Sequence, residues 1–535
     1  MILRINGLTL GLGETEQKLG SRIAAALGLA DGELGEIRIV RRSIDARRAR
    51  PPRFVYLVDV CVPERFSVAA IRPPAGVTVT ELEKPAAGDP TAPSEKVIRR
   101  PEQRPVVVGM GPAGLFAALT LAARGVPPLL LERGRAVHER LSDVRDFWEG
   151  GRLDPESHVH FGEGGAGTFS DGKLTTRVKN PRTGWVKRIL TEMGAPADIL
   201  VDAHPHIGTD RLREVVVNLR KRLIEMGCEV RFEARLTDLT VRRGRLAGLV
   251  LNGSDPIPAD RVILAIGQSA DDTYRMLAEC GVALAQKPFA IGLRVEHPQE
   301  AINAIQYGRW SGHPDLPPAD YFLTARIAEM DRCIYSFCMC PGGQVIGCSA
   351  RPGGVITNGM SRLCRETPYA NSAVVVNVRN EDLGGEDPLA GLVFRRRWEE
   401  LAFRAGGGDY RAPAQGLIEF LAGKDGSSSR TSSFLPGIRE AALQEVLPSF
   451  VVAAMKRGFR AFERKMPGFI TAEATLIGVE TRTSSPVRIL RGENGQSLTV
   501  GGLFPCGEGA GYAGGIVSSA LDGIRAADRL IDALG

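Results

Sequence analysis

Between residues 105 and 134 the chain reads PVVVGMGPAGLFAALTLAARGVPPLLLERG. Val106 to Val108 is an unbroken apolar run, which suits a strand buried on both faces of a parallel sheet. Pro112 to Arg124 has the apolar density of a buried helix, and Leu129 to Leu131 is a second apolar strand that ends at Glu132. Strand, helix, strand in this order is a βαβ unit. Upstream, the pattern predicts a strand over Ile2 to Ile5, a helix over Glu14 to Leu29, strands over Glu36 to Ile44 and Arg53 to Val60, a short helix near Pro63 to Ile71, and a strand over Val77 to Leu82. That βαββαβ order predicts a ferredoxin-like α+β sandwich, a statement about topology alone. Further on, Leu236 to Leu251 reads as a hairpin, Cys333 to Cys340 as a strand and Ile516 to Leu530 as an amphipathic helix.

Composition narrows the class. With 535 residues, 43% hydrophobic and 24% charged, the chain is long enough for about three domains and is neither disordered nor fibrous. The net charge of +6 is small for this length and says little about a nucleic-acid or membrane partner. Nine cysteines in scattered positions, behind a start that lacks a secretory signal, predict reduced thiols and a cytoplasmic location. The apolar stretch Gly114 to Leu131 is broken by Arg124, Gly125, Pro127 and Pro128, so no membrane span is expected. Glycine is the outlier, at 63 residues against a usual share of about 7%.

Three of those glycines have a mechanical explanation. Gly109, Gly111 and Gly114 form GxGxxG at the strand-to-helix turn: the first permits the turn, the second admits a pyrophosphate to the backbone, and the third lets helix and strand pack closely. Pro112 and Ala113 open the helix, whose N-terminus offers unpaired N–H groups to phosphate. Glu132, beside Arg133 at the end of the second strand, is placed to accept from a ribose diol. Two more GxGxxG matches lack this context. Gly162, Gly164 and Gly167 have no lead strand, and Gly509, Gly511 and Gly514 lie too near the C-terminus for a following strand and acid, so a separate NAD(P)-binding unit is not expected.

The chain also resembles a family. GMGPAG with Glu132, the strand-end segment RVILAIGQ (Arg261 to Gln268) and GLFPCGEGAGYAGGI (Gly502 to Ile516) look like the three FAD-contacting motifs of glutathione-reductase-type flavoproteins. FGEGGAGTFSDGKL (Phe161 to Leu174), PHIGTD (Pro205 to Asp210), FCMCPGG (Phe337 to Gly343) and ETRTSSPVRI (Glu480 to Ile489) are similar to bacterial FAD-dependent dehydrogenase-like proteins over nearly the whole chain. The resemblance implies FAD as cofactor. It places the pyrophosphate at Gly109, Gly111 and Gly114, the adenosine ribose at Glu132 and adenine at the backbone of Leu236. The loop with Gly165, Gly167, Thr168 and Ser170 would run beside the flavin, with Gly267 at the strand end and Gly507 in the late motif. Glu508 stands where such proteins carry an Asp reaching the ribityl chain, and the helix beginning near Gly514, Gly515 and Ile516 would aim its positive end at the flavin.

Other chemistry is weaker. Cys333 and Cys338 have CxxxxC spacing, but in a strand residues five apart face opposite ways. Cys338 and Cys340 share a face with Cα atoms about 6.5 to 7 Å apart, at the limit for a disulfide, so free thiols are expected, with a lone thiol at Cys338 or Cys340 near the flavin as an alternative. His158 and His160, like His204 and His206, have no metal-ligand spacing and read as surface or loop residues. Arg294, Lys173 and Arg482 are candidate anion anchors. No acid or base is assigned.

The expected architecture is α/β. A ferredoxin-like module (1–83) and a linker (84–104) precede a Rossmann-like FAD domain of the three-layer ββα type (105–270 and 473–535), which is interrupted by an α+β substrate domain (271–472). The expected function is an FAD-dependent oxidoreductase transferring hydride through flavin N5, acting on a small-molecule substrate or electron acceptor, with NAD(P)H as a candidate donor. Two alternatives remain. One is an FAD-containing RNA-modifying or RNA-binding protein, suggested by Arg38, Arg41, Arg42, Arg47, Arg48, Arg50 and Arg53, and the other is a module in which FAD is structural.

Overall fold

The computed structural model describes residues 1–47, 50–63, 71–82, 101–424 and 430–534. Most of the expected linker, nearly all of the short helix near Pro63 to Ile71, and Arg48 lie outside the described residues. Among the described residues no helix is long and apolar enough to cross a membrane.

The N-terminal unit is a four-stranded antiparallel sheet in the order Ile37–Asp45, Arg53–Cys61, Ile2–Gly11, Thr78–Leu82. Its first strand runs past the expected Ile5 because the register slips between Asn6 and Leu8, which carries the pairing on to Gly11. Leu3, Ile5, Leu8 and Leu10 are buried against Ile23 and Leu27 of the helix Leu19–Leu27. That helix starts later than expected, after a short 3-10 turn at Glu16–Lys18. The unit is docked onto the rest of the chain at Arg42, whose N–H donates to the Val201 carbonyl at 2.7 Å while its own carbonyl accepts from Ala203 at 2.8 Å.

The second unit holds a five-stranded parallel sheet in the order Leu503–Pro505, Val262–Leu264, Val106–Val108, Leu129–Leu131, Glu229–Arg231. Its inner strands are apolar at every position because helices cover one face and a three-stranded antiparallel sheet, Leu236–Arg242, Arg245–Leu251 and Asp255–Pro258, covers the other. Helices Pro112–Ala123 and Ile516–Asp532 pack side by side. A Cβ on Gly523 would lie 2.0 Å from the Ala113 carbonyl oxygen, so their close approach requires glycine there.

The third unit is a seven-stranded sheet in the order Thr324–Ile327, Arg332–Cys340, Tyr369–Val378, Phe289–Pro298, Thr475–Glu480, Ala412–Gly416, Ile438–Glu440. The expected boundary at residue 473 needs correction here. Thr475–Glu480 pairs with Phe289–Pro298 and Ala412–Gly416, not with the parallel sheet, because its six buried residues complete this sheet's core. The chain returns to the parallel sheet only at Leu503.

Candidate functional site

The βαβ turn is built as its glycines require. Gly109 has φ +103°, and a Cβ there would meet the Ala265 carbonyl oxygen at 2.3 Å. Gly114 sits in the helix against the Gly109 carbonyl, where a Cβ would fall 1.8 Å from the oxygen. Gly111 differs: a Cβ would meet only the Gly165 Cα, at 4.0 Å, so the space beside it is open. Glu132 is buried. One of its carboxylate oxygens accepts from the Met110 N–H, and the other from the N–H groups of Gly134 and Gly162, all at 2.9 Å. The carboxylate thus ties the turn, the strand end and the glycine-rich loop together. Arg133 pairs with Glu156 and Asp272, each at 2.9 Å, with its guanidinium over the Phe161 ring.

These elements surround one pocket, and it takes in the candidate residues Gly109, Gly111, Pro112, Ala113, Glu132, Arg133, Gly165, Gly167, Ser170, Leu236, Gly267, Gly507, Glu508, Gly514, Gly515 and Ile516. Two candidates lie outside its wall. Gly114 packs behind the turn, and Thr168 is buried with its hydroxyl donating to the Glu163 carbonyl at 2.9 Å. The pocket also takes in Phe337 and Cys338 from the strand Arg332–Cys340, Asn358 from Thr357–Met360, and Arg482 and Thr483. The quoted motifs contain Phe337, Cys338, Arg482 and Thr483, whereas Asn358 carries no local signal.

Charge is concentrated along the wall. Burial pushes the Glu508 carboxyl up to about 7, with Lys287 opposing, and the Gln268 amide donates to it at 2.9 Å. Arg482 is held by Glu399 at 3.2 Å, yet its Nη1, 3.7 Å from Asp271, has no hydrogen-bond partner among the described residues. Two of the candidate anion anchors are already engaged. Arg294 is fully buried and donates to Glu480 at 3.0 and 3.2 Å and to Asn371 at 2.7 Å, and Lys173 pairs with Asp171 at 3.0 Å. His158 and His160 are loop residues as expected but are buried; burial pushes His160 down to about 3, so it is neutral. Among the arginines at 38 to 53, Arg38 pairs with Asp59, Arg42 with Asp202, and Arg47 and Arg53 with Asp45.

These residues fit FAD. Gly267 and Gly514 line the pocket where a Cβ would meet no protein atom within 4 Å. The helices beginning at Pro112 and Ile516 both start at the wall, giving two N-termini for an anionic ligand. The buried polar atoms Gln268 Oε1, Ser269 Oγ and Arg482 Nη1 belong to wall residues and have no hydrogen-bond partner among the described residues. A buried polar group without a partner is costly, and a polar ligand would relieve that cost.

Comparison with known proteins agrees with this fit. Residues 288–483 match the family model of an FAD-dependent protein, C-terminal domain-like, and residues 1–61 match a domain of unknown function. The first match spans the seven-stranded sheet. An uncharacterized protein of Clostridium beijerinckii is 43% identical over 539 aligned positions, 99% of each chain. A thiamine thiazole synthase of Aeropyrum pernix is 29% identical over 196 residues, 34% of this chain and 60% of that one. Among solved structures, the FAD complex of a glycerol-3-phosphate dehydrogenase from Bacillus halodurans aligns with a TM-score of 0.35 at 12% identity, over 83% of this chain and 65% of that one. With a relative this similar along its full length and the family model over its third unit, the chain belongs to this family of FAD-dependent proteins, and FAD is its cofactor.

Proposed function

We propose that the protein is an FAD-dependent oxidoreductase that meets a small-molecule substrate between the parallel sheet and the seven-stranded sheet. The observation that carries this reading is the pocket itself. It begins at the glycine turn and Glu132, passes Gly507 to Ile516, and continues to Phe337 and Cys338 on the seven-stranded sheet, Asn358 on a separate two-stranded sheet and Arg482 just beyond Thr475–Glu480. In this reading the second unit is a Rossmann-like ββα domain, the third a substrate domain and the N-terminal unit a ferredoxin-like module.

When bound, FAD supplies two-electron hydride exchange at N5. The glycine turn and the helix starting at Pro112 would hold the pyrophosphate, Leu236 would line the adenine end, and the helix starting at Ile516 would present its positive end to the ring system. Arg482 Nη1, 3.7 Å from Asp271 but without a hydrogen bond among the described residues, would donate to an anionic or carbonyl oxygen at the substrate end. Glu508, with its carboxyl near 7, can hold or release a proton at neutral pH. The test is reduction of the FAD-loaded protein under anaerobic conditions by NADH, NADPH and a panel of small organic donors, followed by reoxidation with acceptors. Bleaching of the flavin with turnover is expected. Tight FAD binding with no reduction by any donor would favour a structural cofactor.

A further inference from the structure

We propose that Cys338 and Cys340 form a redox-active dithiol that exchanges an electron pair with bound FAD, so that the protein carries two two-electron centres. This rests on the flavin reading above. Cys338 lines the cofactor pocket, and Cys340 is fully buried behind it. Both are free thiols. The Cys340 thiol donates to the Cys338 carbonyl oxygen at 3.3 Å.

An ideal strand would hold these thiols near the limit for a disulfide, but this strand is not ideal. Its register slips between Phe337 and Cys340, and Cys338 itself adopts φ +47°. A bulge of this kind re-aims a side chain and is favoured beside active sites. A non-glycine residue at positive φ is uncommon and persists only where its surroundings hold it. Here the Arg294 guanidinium donates to the Cys338 carbonyl at 3.3 Å, and the Lys173 ammonium donates to the Met339 carbonyl.

Lys173 lies 3.9 Å from the Cys340 sulfur and is held in turn by Asp171. The hydrogen bond from Cys340, with Lys173 and Arg294 nearby, holds the Cys338 thiol below the ordinary thiol range. The same hydrogen bond, together with burial, pushes Cys340 up. The two thiols are thus biased in opposite senses, Cys338 at the pocket toward its thiolate and Cys340 behind it toward the thiol, a bias that thiol–disulfide chemistry uses.

The step balances within the holoprotein. The Cys338 thiolate and the Cys340 thiol become one S–S bond, and the two electrons released pass to oxidised FAD, which also takes up the Cys340 proton. The reverse step restores the thiols.

The test is an anaerobic dithionite titration of the FAD-loaded protein, starting from the oxidised state. Wild type should take up about four electrons per flavin, and Cys338→Ser or Cys340→Ser about two, since each centre is a two-electron couple. Cys228→Ser, at a buried thiol outside the pocket wall, should keep the wild-type value. Peptide mass mapping gives a readout independent of activity. In the oxidised protein the peptide carrying both residues should be two hydrogens lighter and resist alkylation, and both sites should alkylate after reduction. Lys173→Met should slow alkylation of Cys338 by iodoacetamide at least several-fold. The two serine variants are made separately, so that misfolding of one leaves the other to report. Uptake of only about two electrons by wild type, with both thiols alkylated before reduction, would overturn the dithiol and leave the flavin reading intact. Failure to bind FAD at all would overturn both.

Discussion

At the residue scale, neighbouring glycines of one motif have separable roles. Gly114 meets protein, whereas Gly111 faces the pocket. Gly114→Ala should therefore destabilise the flavin-free protein by about 1–3 kcal/mol, through a forced backbone shift, seen as a lower denaturant midpoint. Gly111→Asp should do the opposite. Gly111 is the N-cap of Pro112–Ala123 and has no side chain to cap with, and Asp is a favoured N-cap. Melting temperature should hold or rise, while FAD affinity, read by fluorescence titration, should fall at least about tenfold because a carboxylate now stands where phosphate would approach. Glu508 makes a prediction in pH. Its folded value of about 7 lies above the ordinary 4.5, so between those values the native state holds a proton that the unfolded state has lost, and stability falls as pH rises through the interval. The stability advantage of Glu508→Gln over wild type should grow from about pH 4.5 to about pH 7 and then level off, as measured by melting temperature of the flavin-free protein. The glycine motif was legible in sequence because each glycine answers to a neighbour a few residues away. The second duty of Glu132 was not, since the N–H donors of Gly134 and Gly162 reach its carboxylate only once the loop has folded back over the strand end.

At the element scale, the two helices whose N-termini line the pocket are locked to each other. Gly523 touches the backbone of Ala113, so Gly523→Val should part helices Pro112–Ala123 and Ile516–Asp532 and cost about 1–3 kcal/mol. A matching loss of flavin is expected, because both helix N-termini line the pocket. Thermal unfolding with and without FAD checks both effects. Element types were legible wherever the apolar run was continuous: Val106–Val108, Leu129–Leu131 and Val262–Leu264 are wholly buried parallel strands. The strand Arg332–Cys340 was legible as a strand, but its bulge was not. A bulge is set by the partner strand's register, here Ala373 and Asn371 of Tyr369–Val378, and no residue of CIYSFCMC announces it.

At the scale of the whole molecule, the N-terminal unit is fastened to the cofactor-bearing body through Arg42, which pairs with Asp202 at 2.9 Å and also bridges through its backbone. Arg42→Ala removes this ion pair and those with Asp198 and Glu16, each worth up to about 1 kcal/mol when partly exposed, and leaves the backbone bridge in place. Limited proteolysis should release this unit faster in the variant, with flavin content unchanged. The carboxylate partners of Arg38, Arg42, Arg47 and Arg53 show the same dependence on context: the sequence displays the cations together, and the fold sets acids beside them. The sequence by itself determined the cofactor class and the βαβ cradle, because strand, turn, helix and terminal acid lie within one contiguous stretch and the physical reason for each is local. Only the tertiary structure decided that Thr475–Glu480 belongs to the seven-stranded sheet, that Asn358 and Arg482 reach the pocket, and that Cys338 faces it with Cys340 behind. Those positions depend on pairing between strands far apart in the chain, which residue order does not encode locally.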